Sequence, residues 1–261
     1  MCRLLSYLGT PIALEKLLYQ PEHSLIVQSY QPKEMTSGVV NADGFGMGWY
    51  HRDRETAPFS YKTTLPVWND INLPHLSRYI ESGCMLATVR SATAGQSVDL
   101  VNCQPFQQGD LTFIHNGFIS DFRKVFYRLL RERLSNSTYP LVQGNTDSEH
   151  IFGLLLDQIE KGRSLSDAVQ YTIAILQEMA DFCQVEFAAN LVVSDGKQIV
   201  ASRFANRDPV PTLYWLEPSD TYPDAILIAS EPIIEGRWQP FGDRSLLTVG
   251  SDLSTCLIPL S

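Results

Sequence analysis

The chain has 261 residues, 44% hydrophobic and 19% charged, a balance suited to one large globular domain or two small ones. A formal net charge of −9 without any basic cluster argues against nucleic acid and against an anionic membrane as partner. No apolar run approaches transmembrane length, and Glu15, Lys16, Glu22 and His23 interrupt any signal-peptide layout, so a cytoplasmic protein is expected.

In chain order, Leu4, Leu5 and Leu8 read as a buried strand. Thr10-Pro11 predicts a helix start, with Ile12, Leu14, Leu17 and Leu18 on one helical face. Residues 31–44 read as a loop. The run Gly44-Phe45-Gly46-Met47-Gly48-Trp49-Tyr50 predicts a strand whose close neighbours need small residues; no GKS/T follows, so it is not a phosphate loop. A short strand over 58–62, a helix over 73–82 capped by Asn72 and a strand over 85–90 come next. Residues 92–109 are loop-like. Residues 111–115 predict a strand, and Asn116-Gly117 is a turn signal. Helices are expected over 119–134, 146–160 and 165–181. Two strands then flank Ser194-Asp195-Gly196-Lys197, a strong hairpin, with further strands at 212–217, 225–230 and 245–249. Strands, then helices, then strands argue an α+β layered domain spanning 1–261.

The five cysteines, Cys2, Cys84, Cys103, Cys183 and Cys256, are odd in number and show no metal-ligand spacing. Cys84 and Cys183 read as reduced core residues. The histidines are scattered with no HExxH pattern, so neither a metal site nor a cofactor is expected. Cys2 differs from the rest by position. If Met1 is removed, Cys2 carries a thiol and a free α-amine on neighbouring carbons. That amine has an ordinary pKa of roughly 7.7–8.0, so near neutrality it can serve as base to its own thiol.

Four more features follow Cys2 in order: Asp43-Gly44-Phe45-Gly46, Arg90-Ser91-Ala92-Thr93, His115-Asn116-Gly117 and Thr146-Asp147-Ser148-Glu149. Singly each is weak. Arg90 would pass for a salt-bridge partner, Asn116-Gly117 for a hairpin turn, and Asp147 for a charge favoured by a helix dipole. Jointly, in this order and spacing, they resemble the class II glutamine amidotransferases, a group of N-terminal-nucleophile hydrolases. The resemblance implies a four-layer αββα sandwich of two mostly antiparallel sheets between helices. It also implies roles. Cys2 is the nucleophile. Asn116 and the Gly117 N–H hold the oxyanion. Arg90 and Thr93 take the substrate α-carboxylate, and Asp147 takes its α-ammonium. The implied partner is a small γ-glutamyl compound. His115 belongs to the motif without an assigned catalytic role.

The chain departs from the common pattern at Thr88, Ser91, Ala94 and Gln104. These positions bear on the pocket beyond the glutamyl group, and so on the leaving group. No acceptor domain is apparent after residue 200. The opening Cys-Arg-Leu-Leu-Ser-Tyr-Leu-Gly and Val-Arg-Ser-Ala-Thr look most like the stand-alone amidohydrolase family of ergothioneine biosynthesis, which removes glutamate from γ-glutamyl-hercynylcysteine sulfoxide. Trp49, Tyr50, Trp68 and Trp238 are the aromatics available for a trimethylammonium group. The alternatives are a generic stand-alone glutamine amidotransferase-like enzyme and a catalytically silent γ-glutamyl-binding module; retention of Cys2 and Asn116 weighs against the last.

Overall fold

Side-chain alternation sets the layering. In β1 (Arg3–Ala13), Leu5 and Tyr7 point to one face while Leu4 and Leu8 point to the other, and all four are buried. A strand apolar on both faces must be covered on both sides. The computed structural model describes residues 2–35, 38, 40–51, 53–92 and 97–260. Met1, Thr93 and Ala94 lie outside the described residues.

β1 is the central strand of the first sheet. On one side it pairs with β4 (Glu81–Val89), then β2 (Phe45–Trp49) and β3 (Phe59–Thr63). On the other it pairs with β10 (Ala225–Ala229), then β9 (Tyr214–Leu216) and β11 (Gln239–Pro240). The second sheet runs β13 (Thr255–Pro259), β12 (Ser245–Val249), β8 (Ile199–Arg203), β7 (Phe187–Ser194), β6 (Leu111–Ile119) and β5 (Phe106–Gln108). All named strand pairings among the described residues are antiparallel.

Between the sheets Leu4, Leu8, Leu86 and Ile228 meet Ile114, Val192, Ala201 and Leu247. Outside the first sheet lie α1 (Glu15–Leu18), α2 (Leu25–Tyr30) and α3 (Leu73–Tyr79), whose Leu17, Leu18, Leu25 and Leu73 pack on Leu5, Met47, Met85 and Leu227. Outside the second lie α4 (Tyr127–Arg133), α5 (Asp147–Glu160) and α6 (Leu165–Cys183), whose Leu130, Ile151, Leu155, Val169 and Leu176 pack on Phe113, Leu191 and Val193. The result is the four-layer αββα sandwich. None of the described helices is long and apolar enough to cross a membrane.

Several local expectations fail. Asn72 makes no side-chain cap to α3; Asp70 Oδ1 accepts Asn72 N and Leu73 N in its place. Residues 106–108, expected as loop, form β5. Thr10-Pro11 does not begin a helix: β1 continues to Ala13, and the only helical residues near by are 15–18. A register shift between Leu8 and Ile12 takes up the proline, which has no N–H to give to a ladder. Gly9 permits this, because a Cβ there would collide with Asp224 O and Ala225. Asn116-Gly117 is not a turn either. β6 runs straight through it, pairing Asn116 with Asn190 and Gly117 with Ala189. The flanking Ile114, Phe118 and Ile119 favour strand, and the full-length ladder to β7 overrides the dipeptide. Sequence reading also passed over α2 and the edge strands β11 and β13.

Candidate active site

Cys2 immediately precedes the central strand. Arg3 pairs with Val89, so Cys2 emerges beside Arg90 and Ser91, and its Sγ lies 3.9 Å from Ser91 O. Thr88, at one of the departing positions, donates its hydroxyl to Arg3 O at 3.0 Å and pins the same end of β1.

Arg90 is buried and directed by backbone carbonyls: Nη1 donates to Asp43 O at 3.5 Å and Nη2 to Ser97 O at 3.3 Å. Around it, Asp43 N donates to Arg90 O at 3.0 Å and Arg90 N to Gly44 O at 2.8 Å. The Asp43 carboxylate then accepts Ala92 N at 2.8 Å, which turns the chain away after the arginine. The Asp-Gly-Phe-Gly motif is therefore the frame for Arg90. Thr93 is outside the described residues.

β6 brings the next pair. By alternation Ile114 and Asn116 face the first sheet, while Phe113 and His115 face the helices. Asn116 is fully buried. Its Nδ2 donates to Ser230 Oγ at 3.3 Å, and the same Oγ accepts Leu4 N at 3.0 Å. One hydroxyl thus joins β6 to β1 two residues from Cys2. Gly117 is obligatory, because the Ala188 carbonyl and the His115 ring occupy the space of any Cβ.

His115 holds β6 to α5. Ala188 O can only accept, so Nε2–H donates to it at 3.1 Å, and in the neutral ring Nδ1 accepts the Ser148 hydroxyl at 2.9 Å. Burial pushes the His115 pKa down, with Asp147 and the Ala188 bond opposing. Gln104, another departing position, donates Nε2 to His115 O at 3.0 Å and accepts His115 N through Oε1. Asp147 sits in the first turn of α5 and is buried. Its Oδ2 accepts Ile119 N at 3.0 Å and Oδ1 accepts Ser148 N at 2.9 Å, which leaves acceptor capacity for an ammonium group.

Two residues carry the site without having been singled out for it. Ser230 and Glu231 follow β10 directly, and their side chains serve different partners along the start of β1. Ser230 takes Leu4 N, while Glu231 Oε1 lies 3.3 Å from Arg3 Nε, with both side chains buried. Glu231 also accepts Glu34 N at 3.0 Å, Lys33 N at 2.8 Å and the His23 ring at 2.7 Å. Burial alone would raise its carboxyl pKa; His23, the two backbone N–H groups and Arg3 overcome that and hold it below the usual range. The available signal was a Ser-Glu pair straight after an all-apolar strand, where solvent cannot reach it.

Trp49 and Tyr50 stand away from Cys2. Trp49 pairs with Met85, four residues and roughly 13 Å along the sheet from Val89, and stacks on Phe59. The Tyr50 hydroxyl is engaged with Asp110 O, Thr112 and Ser194 O at the opposite end of the sandwich. Trp68 packs edge-on to Tyr30, and Trp238 donates to Ile234 O.

A family model for class-II glutamine amidotransferases matches residues 20–214, and the chain belongs to that family. It is 31% identical to the probable glutamine amidotransferase DUG3 of Saccharomyces cerevisiae, over 95% of this chain and 82% of that one. It is 28% identical to the gamma-glutamyl-hercynylcysteine sulfoxide hydrolase of Mycolicibacterium smegmatis, with both chains covered completely. A solved class-II domain protein from Silicibacter pomeroyi superposes with a TM-score of 0.74 at 24% identity, covering 99% of each chain. The glutamine PRPP amidotransferase of B. subtilis shares the fold at a TM-score of 0.67, matching 49% of its own length. The protein is an amidohydrolase of the class II amidotransferase type.

Proposed function

We propose that this enzyme hydrolyses the γ-glutamyl amide of γ-glutamyl-hercynylcysteine sulfoxide, releasing glutamate, with Cys2 as nucleophile. The observation that carries the chemistry is the convergence at one end of the sandwich: Cys2 beside Arg90 on the first sheet, and Asn116 reaching across from the second. In this reading Met1 is removed and the Cys2 α-amine takes the thiol proton. Sulfur attacks the γ-carbonyl carbon, and Asn116 with the Gly117 N–H stabilises the oxyanion. The amine returns the proton to the departing nitrogen, and water then cleaves the thioester. Arg90 and Thr93 hold the α-carboxylate and Asp147 the α-ammonium. All of these groups belong to one domain, residues 1–261.

The choice of substrate is supported by end-to-end similarity to a hydrolase of that substrate. A second reading, a glutaminase-type enzyme passing ammonia to another chain, is favoured by the higher identity to DUG3 and by the placement of Trp49 and Tyr50 away from the Cys2 end. The test is kcat/KM for the sulfoxide against L-glutamine. We expect the sulfoxide to be preferred; a value for glutamine equal to or above it selects the second reading.

A further inference from the structure

The Asn116 carboxamide and the Ser230 hydroxyl are mismatched as they stand. Asn116 is fully buried, its Nδ2 faces Ser230 Oγ, and its Oδ1 has no hydrogen-bond partner among the described residues. Ser230 is also fully buried, and its Oγ accepts from both Leu4 N and Asn116 Nδ2. A hydroxyl has two lone pairs and one proton. Both lone pairs are taken, and among the described residues nothing accepts the proton. One buried donor and one buried acceptor are therefore unmet within a single contact, each at a cost of about 1–3 kcal/mol.

A half-turn of the amide about its Cβ–Cγ bond satisfies both. Oδ1 then accepts the Ser230 proton, and Nδ2 takes the unpartnered place. Among the described residues the Ser230 proton has no other acceptor, and Leu4 N–H narrows what the hydroxyl can do. It occupies one Ser230 lone pair and, being in the backbone of β1, cannot turn away, so the proton is left for Asn116. The half-turn also changes what the site can do. A free Oδ1 repels an oxyanion, whereas a free Nδ2 stabilises one.

We infer that Ser230 is a positioning residue for hydrolysis: its hydroxyl, oriented by Leu4 N–H, holds the Asn116 amide with Oδ1 inward and Nδ2 presented to the oxyanion. The inference rests on the proposed role of Asn116 as oxyanion donor. It explains why a serine follows β10 at this point. It also makes the oxyanion donor depend on β1, the strand that Cys2 immediately precedes, so nucleophile and donor are set by the same element.

The experiment compares wild type with Ser230→Ala, Ser230→Thr and Asn116→Ala. It measures kcat and KM on a chromogenic γ-glutamyl anilide, together with binding of L-glutamate and of the γ-aldehyde of glutamate. The aldehyde adds the thiol to its carbonyl, giving a hemithioacetal whose oxygen occupies the oxyanion place. For Ser230→Ala we expect kcat and aldehyde affinity to fall about 10–100-fold, with KM and glutamate affinity near wild type. The threonine variant restores both. Aldehyde binding unchanged in Ser230→Ala but lost in Asn116→Ala overturns the inference and leaves the oxyanion assignment standing. Aldehyde binding unchanged in both removes the assignment itself, and the inference with it. A parallel loss of glutamate affinity in Ser230→Ala also overturns it, by marking a collapsed pocket. If Ser230→Ala does not fold, a neutron structure of wild type with the aldehyde decides. A Ser230 deuteron directed at Asn116 Oδ1 supports the inference, and Nδ2 directed at Ser230 overturns it.

Discussion

Cys2 is asked to be nucleophile and base at once, and the two roles can be separated by experiment. With Met1 attached, the Cys2 nitrogen is an amide and has no basicity to offer. Intact mass spectrometry of active preparations should therefore show Met1 absent; full activity in a sample that wholly retains it would end the proposed mechanism. Cys2→Ala should lose turnover yet still bind glutamate, because recognition is assigned to other residues. Arg90 is the main one. Losing a charge-assisted fork on the α-carboxylate costs about 1.5–3 kcal/mol, so Arg90→Ala should weaken glutamate binding roughly 10–100-fold by calorimetry. Unchanged affinity in both Arg90→Ala and Asp147→Asn would refute the assigned recognition roles.

At the scale of elements, the start of β1 and the first turn of α5 each bury charge or titratable groups. Arg3 and Glu231 are both out of solvent, and burial lowers the Arg3 pKa while Glu231 opposes the fall. Glu231→Gln leaves that guanidinium without its counter-charge and should cost about 3–5 kcal/mol in urea denaturation. In α5, burial holds His150 neutral, with its pKa down at about 4, beside the rings of Phe122 and Tyr127. Unfolding restores an ordinary value near 6.5, so the unfolded chain binds the extra proton. The stability this gives is complete above pH 6.5 and drains away as pH falls toward about 4, to a total of about 3 kcal/mol. Chemical denaturation across that window should show the loss, and His150→Phe should flatten part of it. The buried His115, also lowered, accounts for further slope. These elements differ in how far the sequence disclosed them. The β2, β4 and β7–β8 runs were readable, because their apolar patterns and the Asp195-Gly196 hairpin are local signals. The motif residues were readable through their order along the chain. Asn116-Gly117 misled, because a dipeptide carries no information about the strand that will pair with it. Ser230 could not be assigned a partner at all: its contact with Leu4 spans 226 residues, and no short-range pattern encodes it.

The whole molecule has one inter-sheet core, to which both sheets contribute. All four tryptophans, Trp49, Trp68, Trp215 and Trp238, lie in the first sheet or beside it. The longest helices, α5 and α6, cover the second. Tryptophan fluorescence therefore reports the first sheet and, through Trp215, the inter-sheet core, while far-ultraviolet dichroism reports mainly the helices over the second sheet. If residues 1–261 are one domain, the two signals should trace a single coincident urea transition; separated midpoints would mean two units. The placement of β1 has a further consequence, for the order of events during synthesis. Its neighbours are β4 and β10, so one edge of the first strand waits until residues 225–229 have been made. A nascent chain folds mainly from its N-terminal end, yet here that end cannot close until β10 has been made. Throughout that interval the proposed nucleophile stays unassembled. A chain released early, short of β10, would carry Cys2 but not the Ser230 and Glu231 that hold its strand, so only copies extending past Glu231 would be armed.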